Sequence, residues 1–197
     1  MILYLSTIFV AMIIICTLNI CLGPETFAGY EWWIIGAVTL SVVFEIAICG
    51  LVAFIFERLP EKCYKINSKF FTVSKKEQKF YEKIGIKSWK DKVWELGALG
   101  GFRKNKINNP NSSEYLHKFI VESCKGMVGH IVNLFMAYLV IFILPLKYWW
   151  RIGIWVALVG ALLNFLPTLI LRYNLPKLAI AHKRASRLEE RAEKETT

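Results

Sequence analysis

The first 57 residues contain neither lysine nor arginine. All 25 Lys+Arg lie further on: sixteen between Arg58 and Lys125, then Lys147 and Arg151, and seven from Arg172 onward. An amino terminus without basic residues lacks the n-region of a secretory signal, and no A-x-A-like cleavage site follows it. The apolar run 2–22 is therefore expected to be a retained first membrane span. Cysteine is scarce and odd in number, with five residues and no pair at metal-ligand spacing. Neither a disulfide framework nor a metal site is expected on that ground. There is no G-x-S-x-G, no H-E-x-x-H, no Walker loop and no dinucleotide fingerprint, so hydrolase, zinc protease and NTPase readings lose their support and no bound cofactor is expected. The basic residues are fenced off by apolar runs of about 20 residues, the length of a membrane span, a pattern foreign to nucleic-acid binders. No nucleic-acid partner is expected.

What is present is a 197-residue chain that is 55% hydrophobic and 20% charged, with a mean hydropathy of +0.42. This composition indicates one all-α domain over 1–197, an integral membrane four-helix bundle. The spans are expected at 2–22, 32–56, 127–144 and 152–171, with an amphipathic helical connection at 57–126 and a basic tail at 172–197. The basic bias places both termini and the connection in the cytoplasm of a multi-pass cell-membrane protein, with membrane lipids as partners. Trp32 and Trp33, and Tyr148 to Trp150, suit the opposite interface.

Within the connection, Ser74 followed by Glu77 forms a capping box ahead of the apolar face Phe80, Tyr81 and Ile84. Trp89, Val93, Trp94 and Leu96 interleave with Lys87, Lys90 and Lys92, an arrangement suited to lying in the membrane interface with rings down and ammonium groups up. Gly97, Gly100 and Gly101 follow, as an interfacial turn or a close approach to a phosphate. Ser112 or Ser113 caps a helix that runs through Glu122 into the third span, which Pro145 ends. Pro167 invites a kink in the fourth span, and the last part of the tail reads as a fraying, solvated helix.

Polar residues inside spans are costly and point to function. Glu122, His130 and Asn133 lean to one side of their helix: Glu122 and His130 are about 80° apart in rotation and about 12 Å in rise. Glu45 sits mid-span, with Ser41 and Cys49 one turn away on either side. Asn164 precedes Pro167 by three residues and is placed either at the weak point that the proline creates or on a cavity wall. If these faces turn inward they line a polar pocket roofed by the tryptophan-rich element. There His130, assisted by Glu122, is a candidate general base for a hydroxyl, with Asn164, Arg172 or a backbone N–H meeting the developing oxyanion. The alternative is a histidine bonded to a neighbouring backbone and a neutral glutamate bonded to another helix.

Asn164-Phe-Leu-Pro167, followed by Arg172-Tyr173-Asn174-Leu-Pro-Lys177, resembles the N-x-x-P and R-Y-N-x-x-[RK] signature of the glycosyl-4,4'-diaponeurosporenoate acyltransferase family of small bacterial membrane proteins. Ile86-Lys-x-Trp89-Lys90, Gly101-Phe102-Arg103-Lys104 and Tyr115-Leu-x-x-Phe119-Ile-x-Glu122 are similar too, in the family's order, over roughly Phe80 to Lys177. Two segments differ. Glu122-Ser-Cys-Lys125-Gly126-Met-Val-Gly-His130-Ile stands where the family has an E-x-x-R-A-E-x-x-H-W-like run, and Trp94-Glu95-Leu96 stands where a proline turn is usual. The resemblance implies transfer of a fatty acyl group to a sugar hydroxyl on a membrane glycolipid or isoprenoid glycoside, in the family's named case a carotenoid glucoside. It implies functional roles for Glu122, His130, Asn164, Arg172, Tyr173 and Asn174. Arg103 and Lys104 become candidate phosphate contacts for an acyl-CoA-like donor, which a basic connection would attract. Two other function classes fit the same frame. One is a different membrane-lipid enzyme, such as a reductase, a methyltransferase or an intramolecular acyl shifter. The other is a non-catalytic lipid-binding or adaptor protein.

Overall fold

The computed structural model describes residues 2–24, 27–93 and 107–196, and every regular element among them is helical. The helices are α1 (Ile2–Leu22), α2 (Tyr30–Arg58), α3 (Lys75–Lys83), α4 (Ile86–Trp89), α5 (Ser113–Met136) and α6 (Ile154–Thr196). Four helical segments are long and apolar enough to cross a membrane, beginning at Tyr4, Tyr30, Ser113 and Leu146. The residues Trp94 to Lys106, which carry part of the tryptophan element, the glycines and the basic pair Arg103 and Lys104, lie outside the described residues.

The local signals act as their chemistry dictates. The Ser74 side chain accepts the backbone N–H of Glu77 at 3.1 Å and opens α3. Ser112 Oγ accepts the N–H of Tyr115 at 3.2 Å at the start of α5. Past Met136 the α-helix tightens to a 3₁₀ segment, Ala137–Ile143, and Leu144 and Pro145 are extended. A π-turn at Trp149–Gly153 then feeds α6. The helix α6 continues through Pro167 and Pro176 to Thr196, so neither proline ends it. Within its polar stretch it is joined to the start of α5: Glu189 accepts the Ser113 N–H at 2.9 Å on Oε1 and the Ser113 hydroxyl on Oε2.

Contacts divide the chain into two compact units. The first comprises Met1–Ile55 and Gly129–Phe165, the second Phe56–Val128 and Leu166–Thr197. The first unit is centred on Ile15, Ile34, Val38, Val140, Ile152 and Val156, with Trp33 against Tyr148 at a ring separation of 4.1 Å. Its outward side chains are apolar as well; Phe9, Leu40, Phe142 and Leu162 are exposed, as expected where hydrocarbon replaces water. At one end, Arg151 Nη2 donates to Tyr30 Oη at 2.9 Å and to the Asn19 carbonyl near the end of α1 at 3.4 Å. Asn19 Nδ2 donates in turn to the Arg151 carbonyl at 3.0 Å. A Cβ on Gly23 would lie 2.3 Å from both Asn19 O and Tyr30 Oη, so this knot requires glycine there.

The second unit is organised by Tyr81, Ile86, Ile170 and Tyr173, with Val73, Trp89 and Val93 around them. Its other fixed points are polar. The Tyr64 hydroxyl donates to the Phe56 carbonyl at 2.7 Å, and His117 lies 4.0 Å from the Glu61 carboxylate.

Candidate active site

The third span presents His130, Asn133, Ala137 and Val140 along one seam, with Asn133, Ala137 and Val140 at 6%, 2% and 1% exposure. Phe135, Met136 and Leu139 occupy the opposite, exposed side. The fourth span answers with Gly160 and Asn164, one helical turn apart, and the second with Glu45 and Cys49. All belong to the first unit.

His130 Nδ1 lies 3.0 Å from Asn164 Oδ1. The other side of that amide is also fixed, because Asn164 Nδ2 donates to the Gly160 carbonyl at 2.9 Å and lies 3.9 Å from Cys49 Sγ. A carbonyl only accepts, so the amide nitrogen faces Gly160 and the amide oxygen faces the ring. An amide oxygen also only accepts, so His130 Nδ1 carries the proton and Nε2 holds the basic lone pair. The sequence offered Asn164 as a residue at the proline's weak point or on a cavity wall. It takes the carbonyl one turn behind it and sets the tautomer of His130.

Gly160 has a second role. A Cβ built on it would fall 1.2 Å from Glu45 Oε1 and 2.2 Å from Glu45 Cδ, so the carboxyl occupies the space that any other residue would fill. Glu45 is only 9% exposed. Ser41, one turn before Glu45, spends its hydroxyl on the Ala37 carbonyl at 2.7 Å. Glu45 and His130, separated along the chain by 85 residues, thus meet the same short stretch of α6: Glu45 at the Gly160 backbone, His130 through Asn164. Nothing in the spacing of residues could have revealed this, because it depends on the missing side chain at Gly160.

The remaining predicted residues lie in the second unit. Glu122 pairs with Lys125 at 2.9 Å on its own helix. Arg172 is committed to the packing of α3. Its Nε and Nη2 grip the Glu77 carboxylate, Nη1 donates to the Phe70 carbonyl at 2.7 Å, and Nη2 reaches the Thr72 carbonyl at 3.4 Å. Glu77 also accepts the Tyr81 hydroxyl. Burial alone would raise the Glu77 carboxyl, but the bonds from Arg172 and Tyr81 outweigh it and hold the group below the usual carboxylate range. Burial and the neighbouring carboxylate push the Tyr81 phenol up. Tyr173 is 4% exposed, packs edge-on to Tyr81 at 6.1 Å, and carries the Lys177 ammonium 3.5 Å from its ring centre. Its hydroxyl has no partner among the described residues. Asn174 is half-buried, and Trp89 Nε1 donates to the Ile84 carbonyl at 3.2 Å. The R-Y-N segment is thus where α6 clasps α3, a structural role alongside whatever functional one it has. No group of His, Cys, Asp and Glu suited to a metal ion occurs among the described residues.

A family model described as glycosyl-4,4'-diaponeurosporenoate acyltransferase matches residues 60–184, which is more than half of the chain. The chain belongs to that family. The match includes His130, Asn164 and the Arg172-Tyr173-Asn174 segment, and leaves Glu45 outside it. The family's description denotes acyl transfer in carotenoid glycolipid modification. Comparison with curated proteins and with solved structures gives no match.

Proposed function

We propose that this protein is a membrane-embedded O-acyltransferase that moves a fatty acyl group from an acyl-CoA-like thioester to a hydroxyl of a membrane glycolipid or isoprenoid glycoside. The observation that carries the reading is the chain Gly160 carbonyl, Asn164 amide, His130 ring, which leaves Nε2 as the basic nitrogen. In this mechanism Nε2 takes the proton of the acceptor hydroxyl as its oxygen attacks the thioester carbonyl carbon. The carbon–sulfur bond then breaks, and the imidazolium returns the proton to the departing thiolate, so an ester and a free thiol are formed. Asn164 acts as a positioning residue through the ring. Glu45, fixed against Gly160, supplies a hydrogen-bonding carboxyl on the same wall. Family membership supports acyl transfer, and the positive-inside bias supports a cytoplasmic location for the termini and the connection.

The test is an assay of the purified protein in lipid nanodiscs with radiolabelled acyl-CoA and an isoprenoid glucoside. Label should pass into the glucoside fraction, and His130→Ala should lower kcat by about 10²–10⁴-fold, the usual contribution of a positioned general base, while the protein remains folded. Full activity in His130→Ala would end the proposal.

A further inference from the structure

Asn133 lies one turn beyond His130 on the inward seam of α5, and its side chain is more than nine-tenths buried. Its Oδ1 has no hydrogen-bond partner among the described residues. Other buried polar side chains of the same unit are bonded: Ser41 to its own helix, Asn19 to Arg151, and Asn164 to Gly160 and His130. A buried, unpaired carboxamide is costly in any protein, and more so inside a span where no bulk water can reach it. Leucine would fill the same volume without that cost. The amide is therefore matched to a group absent from the unliganded protein, and Oδ1 requires that group to be a hydrogen-bond donor.

The proposed reaction indicates which donor. Residues three apart on a helix have Cβ atoms about 5–6 Å apart, so one small ligand reaches both His130 and Asn133. A sugar ring presents adjoining hydroxyls, each of which can donate and accept, and it fits an imidazole that accepts one proton beside an amide that offers an acceptor and a donor. Resting on the acyl-transfer reading, we infer that Asn133 is the specificity residue of the acceptor site, binding a second hydroxyl next to the one that is acylated. The acceptor accordingly presents a second ring hydroxyl beside the reacting one, and a simple long-chain alcohol is a poor substrate. A site built around a buried hydrogen bond discriminates strongly against the analogue that lacks it, because the protein group is then left unpaired.

The experiment compares wild type with Asn133→Leu and Asn133→Asp in nanodiscs, using a farnesyl glucoside and the full set of its monodeoxy analogues, with and without acyl donor. Deleting one particular ring hydroxyl is expected to lower the wild-type kcat/KM by at least about tenfold. Asn133→Leu should lose the same factor on the parent glucoside and nothing more on that analogue, while Asn133→Asp, which keeps an acceptor, retains part of the preference. Without donor, the parent glucoside should raise the melting temperature of wild type but not of Asn133→Leu, whose unliganded melting temperature should be at least that of wild type. An equal loss on every analogue, no loss on any, or equal stabilisation of both proteins by the glucoside overturns the inference, as does failure of wild type to bind it. Glucoside binding that depends on Asn133 without any acyl transfer would instead overturn the acyl-transfer reading and leave this inference standing.

Discussion

Replacing Gly160 with alanine puts one methyl group where the Glu45 carboxyl now lies. The new Cβ would sit 1.2 Å from Oε1, 2.2 Å from Cδ and 2.7 Å from Oε2, so the carboxyl group as a whole must be displaced, Oε1 the furthest. The obstacle is the end of a flexible side chain, not backbone, so α6 should survive and Glu45 should leave. Two opposing effects set the magnitude. Overpacking a filled site costs about 1–3 kcal/mol, while alanine in place of glycine within a helix contributes about 0.5–1 kcal/mol. The single variant is then destabilised by roughly 0–2.5 kcal/mol. In a Glu45→Ala background the obstacle is gone and the same substitution should stabilise by about 0.5–1 kcal/mol. The reversal of sign is the signature, a coupling within the range of roughly 0.5–3 kcal/mol expected for residues in contact. Unfolding of the four proteins in detergent measures it, and acyl transfer by Gly160→Ala reads whether the Glu45 position matters to the reaction. Additive stabilities, with Gly160→Ala having the same effect in the wild-type and Glu45→Ala backgrounds, would refute the placement of Glu45 on Gly160.

Two further outcomes follow from the same geometry. Asn164→Leu frees the imidazole to change tautomer and should lower kcat by less than the loss of His130 itself, whereas Asn164→Asp still accepts from Nδ1–H. A carboxylate there favours the imidazolium, so the acidic limb of the kcat/KM profile should move to higher pH in Asn164→Asp, a shift that a purely structural asparagine would not produce. The Glu77–Arg172 clasp makes a different prediction. A carboxyl whose folded pKa is depressed stabilises the protein fully above its unfolded value of about 4.3, and loses that contribution as pH falls through the folded pKa. Glu77→Gln should cost about 2 kcal/mol at neutral pH, as expected for charge-assisted bonds, with the gap from wild type closing in acid. Calorimetry from neutral pH to below pH 4 checks this, and a constant gap would exclude the clasp as its source.

The parts of the fold that chain chemistry sets locally were legible from the residues. Ser74 and Ser112 cap the helices they were expected to cap, Pro145 marks the end of the third span, and the four apolar runs became four long helices. Reading failed where a distant partner decides. Nothing in the tail's own residues indicates that Glu189 would be held by Ser113 from 76 residues earlier. His130 and Asn164 were each recognisable as polar residues in apolar surroundings, but their bond, and the tautomer it imposes, required both helices to be in place. Arg172 looked like an anion-binding residue because an isolated guanidinium always does; only the fold supplies Glu77, Phe70 and Thr72 to occupy it. The tightening of α5 after Met136 and the π-turn at Trp149 left no trace that composition or periodicity could detect.

The knot of Arg151 with Asn19 and Tyr30 bears on how the chain is assembled. The Arg151 guanidinium reaches its acceptors on two different helices, the Asn19 carbonyl of α1 and the Tyr30 hydroxyl of α2. Any processing that removed α1 would strip Arg151 of the Asn19 carbonyl and leave the cation with the Tyr30 hydroxyl and the face of the Tyr148 ring. The first helix therefore completes the seat of the turn that opens the final span, so losing it should loosen both ends of the bundle's last connection at once.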